Sequence, residues 1–180
     1  MGTDIHIEAE YYKDNRWHLA DIALPEHRNY CAFAVLADVR NGYGFAGTDS
    51  GDPITPISEP RDLPNDISPE LRAYLDGVND DWLYLGNHSF SWVTLKELLD
   101  YDIDAPVTVR GMVPSEAARR FREFGEIPTS WSNWTSKPNY ERLEWQEPIR
   151  ERAWLIPMLI DEIKVLGEPD KVRLVFGFDD

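Results

Sequence analysis

Asp4, His6, Glu8 and Glu10 stand at every second position near the start of the chain. On a β-strand alternate side chains share a face, about 7 Å apart, so this spacing lines up acid, imidazole, acid and acid. Ile5, Ile7, Ala9 and Tyr11 then face the other way. A carboxylate beside an imidazole can orient it for proton transfer or join it in a metal site. The same pattern is also that of a sheet with one wet face. A transition metal needs further ligands, for which His88 is the natural candidate, but no HExxH helix or CxxC pair supports a set, and no metal ligand is assigned. Asp4, His6 and His88 are the candidate acid–base residues.

His88 lies in NHSFSW, where Ser89, Ser91 and Trp92 add hydroxyls and a ring beside the imidazole. A serine nucleophile on a GxSxG elbow is absent, so hydrogen bonding to a ligand or general acid–base work suits this stretch better than a serine hydrolase. Arg28, Arg40 and Arg61 fall at the edges of irregular segments. Arg is the planar, bidentate partner of phosphate and carboxylate. Together with Arg110, which falls in a strand, these four suit a small anionic ligand, with Tyr30 and Trp92 available to stack on a ring. NGYGFAG (41–47) lacks the GK[ST] ending of a P-loop, so its glycines read as loop flexibility.

The rest of the composition narrows the function class. The 180 residues include 33 acidic and 18 basic ones, for a net charge of −15. That sign repels nucleic-acid phosphates and argues against general DNA or RNA binding. It leaves room for a basic protein partner or for DNA mimicry. With 42% hydrophobic residues and seven Trp, one domain with a substantial core is expected over residues 1–180. No stretch approaches the roughly 18 apolar residues of a membrane span, and no basic-then-apolar leader opens the chain. The single Cys31 allows no internal disulfide and reads as a small buried hydrophobe, consistent with a cytoplasmic location.

The elements that must position these residues follow from periodicity and turn signals. Residues 3–12 and 16–22 form a hairpin about Asp14-Asn15. Residues 28–40 carry apolar positions at 30, 33, 34 and 37, the spacing of an amphipathic helix, stopped by Gly42 and Gly44. A long Gly- and Pro-rich loop covers 41–67, and its Tyr43, Phe45, Ile54 and Ile57 suggest that it packs on the body. Ser68-Pro69 starts a short helix. Residues 87–94 are extended, and Thr94 with Glu97 forms a capping box for the next helix. A strand is expected over 106–113, a helix over 115–126, a longer helical region over 140–166 broken at Pro148 and Pro157, and a last strand over 170–180. Strands at both ends with helices between them give an α+β fold. It would be a single domain with a mixed or antiparallel sheet in which the first strand pairs with the last.

MGTDIH at the start, RNYCAFAVLADVRN, SEPRDLP, HSFSWVTLKEL and the closing VRLVFGFDD resemble, in order and spacing, an uncharacterised family of small phage and bacterial proteins known by its MGTDIH opening. The closing block departs from that pattern at Gly177 and Asp180. The resemblance implies that Asp4, His6, Arg28, Asn29, Tyr30, Arg40, Arg61, His88, Ser89, Ser91 and Asp179 converge on one pocket. Phage residence adds a class of roles, the capture or destruction of nucleotide signals of host defence. Three readings remain open: a protein that sequesters an anionic, nucleotide-like ligand, a hydrolase or lyase acting on such a ligand, with or without a metal, and an acidic inhibitor or DNA mimic. Cofactor and self-association are left open.

Overall fold

The computed structural model describes residues 2–77 and 84–180. In chain order the elements are β1 (Asp4–Lys13), β2 (Arg16–Leu19), α1 (Tyr30–Ala37), α2 (Pro69–Leu75), β3 (His88–Thr94), α3 (Leu95–Asp100), β4 (Pro106–Pro114), α4 (Ser115–Phe124), β5 (Tyr140–Pro148), α5 (Ile149–Arg152), α6 (Leu155–Ile163) and β6 (Val172–Asp179). Four strands form an antiparallel sheet in the order β2-β1-β6-β3, and β4 and β5 form a separate antiparallel pair. The fold is α+β, with the first and last strands paired from Asp4 opposite Asp179 to Tyr11 opposite Val172.

Local chemistry explains most boundaries. Asp14 and Asn15 both take left-handed backbone conformations, φ 51° and 61°, as a two-residue hairpin turn with the right twist requires. Asn29 caps α1 by accepting a hydrogen bond from the Ala32 amide at 2.8 Å. Asp38, left-handed at φ 60°, ends that helix well before Gly42. Ser68 caps α2 with Pro69 in its first turn, and the Thr94–Glu97 capping box opens α3.

The central strand β6 is buried on both faces from Val172 to Phe178. On one face lies the main core, where Ile5, Ile7, Phe176 and Phe178 meet Phe33 and Leu36 of α1 and Ile156, Leu159 and Ile163 of α6. On the other, Val175 packs with Leu71 of α2 and with Leu85. Residues 85–87 cross this face directly over Gly177. A Cβ there would overlap the Leu85 carbonyl and crowd the Phe90 ring. Glycine at position 177 therefore has a steric cause.

One expected element is corrected. Residues 140–148 are a strand, not the start of a helix. Leu143 and Trp145 are buried while Arg142, Glu144 and Gln146 are exposed, and this period of two pairs with β4 from Pro106 to Pro114. Pro157 does not break α6 because it sits in the first turn, where the amide has no helical partner to lose. Among the described residues no helix is long and apolar enough to cross a membrane.

Candidate functional site

The β1 row divides into two halves with different environments. Glu10, with no exposed surface, accepts from the Ser68 amide at 2.7 Å and from Arg173 Nε at 2.7 Å. Arg173 also donates to the Asp66 carboxylate and carbonyl and stacks 3.9 Å from the centre of the Trp17 ring. Every strong partner is satisfied, so this end is a clasp that holds residues 61–68 on the sheet.

The Asp4 end is half open. Arg28 grips Asp4 with two hydrogen bonds, of 2.8 and 2.5 Å, which hold the carboxyl below the usual carboxylate range. His6 Nε2 lies 3.3 Å from Asp179 Oδ2, and the Tyr84 ring meets the imidazole edge-on at 4.9 Å. Asp180 accepts from the Thr3 hydroxyl at 2.5 Å and from Arg40 at 3.0 Å; both hold its carboxyl low. Arg40 Nε donates to Thr3 Oγ1 and its guanidinium lies 5.6 Å from the Tyr30 ring centre. His88 stacks on Phe178, pairs Nδ1 with Ser89 Oγ at 3.0 Å, and turns a buried Nε2 toward Asp180 Oδ2 at 3.9 Å. Ser89 takes φ 51°, an uncommon conformation for a non-glycine residue, where β3 is irregular between His88 and Ser91.

Asp4, His6, Arg28, Tyr30, Arg40, His88 and Ser89 thus gather at the end of the sheet where β1 starts and β6 ends. Asn29 lies beside them, but its side chain is spent on the α1 cap and on the Arg152 carbonyl. Arg61, Ser91 and Trp92 do not join the group. Arg61 is clamped by Glu97 at 2.7 and 3.2 Å, stacks on Trp92, and its amide is held by Ser91 Oγ. These three belong with the Glu10–Arg173 clasp. Among the described residues no group of three or more His, Cys, Asp or Glu comes together as a metal-ligand set.

Next to the gathered residues is a cleft of about 290 Å³. Its walls are Arg28–Cys31 at the start of α1, the loop from Arg40 to Ile54, Val107–Val109 of β4, Trp131 and Asn133, and Glu151, Arg152 and Trp154. The loop is fixed to β4 by backbone bonds, Asp52 amide to Thr108 carbonyl and Arg110 amide to Ser50 carbonyl. The Arg110 side chain reinforces them by gripping Asp49, Asp52 and Glu144. Ile54 and Ile57 pack on the core as expected, whereas Tyr43 and Phe45 are 54% and 57% exposed. Cys31 sits in the cleft wall, and burial pushes its thiol up to about 11, so it is no nucleophile at neutral pH.

Arg152 is the cleft residue that the sequence reading passed over. It is mostly buried, its guanidinium lies 4.2 Å from the Trp131 ring centre, and its nearest carboxylate is Glu147 at 3.5 Å without a hydrogen bond. Burial pulls its pKa below the usual arginine range, only partly offset by Cys31 and Glu147. In the sequence it is one of several charged residues in IRERAW, and its burial depends on the turn between β5 and α6.

Compared with known proteins, the chain matches no family model, no curated protein and no solved structure. The fold and the site define an α+β domain with an arginine- and aromatic-lined cleft beside two histidine–aspartate pairs.

Proposed function

We propose that this protein binds a small, ring-bearing anion, nucleotide-like in character, in the cleft beside α1, and that it acts by holding that ligand. The observation that carries the reading is Arg152. Its guanidinium is mostly buried beside Glu147, and its terminal nitrogens make no hydrogen bond among the described residues, so they are available as a donor fork to an anion entering the cleft. Tyr30, Tyr43, Trp131 and Trp154 supply ring surface around it. The resemblance to a phage family supports a sequestering, anti-defence role for such a binder. Isothermal titration against nucleoside phosphates and cyclic nucleotides tests the reading. Binding that drops at least tenfold in Arg152→Met supports it, and a hit that Arg152→Met leaves unchanged removes the site.

The two histidine–aspartate pairs favour a second reading, a hydrolase or lyase in which His6 or His88 moves a proton and Asp179 or Asp180 orients the ring. Recovering the bound ligand after denaturation separates the two: intact ligand means capture, fragments mean turnover. The inhibitor or DNA-mimic reading draws less support, because surface carboxylates interleave with arginines, as in Arg119 with Glu116 and Glu123, Arg142 with Asp49 and Arg150 with Asp104.

A further inference from the structure

We infer that the ligand class of this cleft is a nucleoside monophosphate: one ring system and one phosphate, not a polyphosphate or a dinucleotide. The inference rests on the anion-binding reading above and deepens it. Three features of the cleft carry it.

The first is size. About 290 Å³ lies at the lower edge of the roughly 300–1,000 Å³ typical of small-molecule sites. The second is charge. Arg152 is the cation without a hydrogen-bonded carboxylate, and its planar fork suits one phosphate. Arg28 is already held by Asp4, and Arg40 by Thr3 and Asp180. Glu151 adds a carboxylate to the walls, and Asp52, also in the walls, is already held by Arg110. A second or third phosphate would therefore meet cations that are already paired and a carboxylate that repels it.

The third is an amide in the cleft wall. Asn133 lies against Gly44, where a Cβ would overlap its amide, so the glycine is what lets loop and amide close up. The Asn133 side chain makes no hydrogen bond within the described protein, and an amide offers the paired donor and acceptor that base edges require. Tyr43, exposed and one residue before Gly44, also lines the cleft. A phosphate on Arg152 and a base edge on Asn133 would use both of these cleft side chains at once.

Titration of the full chain with AMP, GMP, CMP, UMP, ATP, a cyclic dinucleotide, adenosine and inorganic phosphate tests this. At least one monophosphate is expected to bind at least tenfold more tightly than its triphosphate, its nucleoside or phosphate alone. Asn133→Ala should erase the advantage over inorganic phosphate and leave phosphate binding unchanged. Asp4→Asn, which releases Arg28, should tighten phosphate binding several-fold, whereas a merely structural Asp4 would leave it flat or weaken it. Circular dichroism and melting of each variant establish that it is folded, and Ser132→Ala beside Asn133 serves as a folded comparison. Triphosphate or dinucleotide binding as tight as the monophosphate, still dependent on Arg152, overturns the monophosphate class and leaves the anion-binding reading standing. Absence of binding by every phosphate-bearing probe overturns both.

Discussion

Replacing Glu8 with Gln should stabilise the protein in neutral and basic solution and do little in acid. Glu8 sits between His6 and Glu10 on β1, half-buried, near Glu26, whose carboxylate is fixed by the Ile7 amide at 3.1 Å. Burial, with the Glu26 charge added, pushes the Glu8 carboxyl up to about 7 from 4.5. The folded state therefore holds a proton that the unfolded state releases between pH 4.5 and 7. Stability falls as pH rises through that window, and the loss is complete above it. A 2.5-unit difference corresponds to at most about 3 kcal/mol at 1.36 kcal/mol per unit. Partial exposure and solvent screening reduce this to about 1–2 kcal/mol. Gln keeps the shape and removes the titration. At pH 8 the variant should unfold about 1–2 kcal/mol later in urea than the parent, a rise of roughly 3–6 °C in Tm for a chain of this size. At pH 5 the gap should shrink to a few tenths of a kcal/mol. Paired urea titrations of both proteins at the two pH values measure it. An equal gap at pH 5 and pH 8, or a less stable variant at pH 8, would show that Glu8 is not held protonated and would refute the reasoning.

The clasp predicts strong coupling: Glu10→Leu should cost about 3–5 kcal/mol by leaving Arg173 partly unpaired in the interior, while Glu10→Leu with Arg173→Met should recover much of that loss, both read from urea midpoints. Gly177→Ala should destabilise by about 1–3 kcal/mol through overlap with Leu85 and Phe90, and hydrogen exchange should show the loss concentrated in 85–91.

The sheet was legible from the sequence because period two and a continuous apolar run are local signals. TDIHIEAEYY and VRLVFGFDD declare one half-covered and one fully buried strand without reference to anything distant. The caps at Ser68 and Thr94 were equally local. Residues 140–148 were misread because the chain from 140 to 166 is rich in residues that suit helices, and Pro148 looked like a break within one helix. The deciding fact was nonlocal: pairing with β4 buries Leu143 and Trp145 together. The same limit governs the site. Arg28, Arg40, His6 and His88 could be picked out by type and place in the sequence, but Arg61 has the same features and is consumed by Glu97. Arg152 was missed because the sequence shows a charge and not its burial in a cleft wall without a hydrogen-bonded carboxylate.

The β1 row makes the distinction general for this fold. Asp4 and Glu10 are acids on one face of one strand, each paired with an arginine, yet their surroundings lead to different consequences. Residues 61–68 close over Glu10, so Arg173 finds two carboxylates, a carbonyl and an indole face, and nothing remains for a ligand. Among the described residues no such cover seals Arg28 against Asp4. Their pair is about half-exposed on both sides, and Arg28 also faces the cleft. An exposed pair contributes little to folding, so Asp4→Asn frees Arg28 at small cost to the fold, whereas opening the buried clasp costs far more. The β1 acids therefore set a gradient from a locked end to a half-open one, and the cleft with Arg152 in its wall opens at the half-open end.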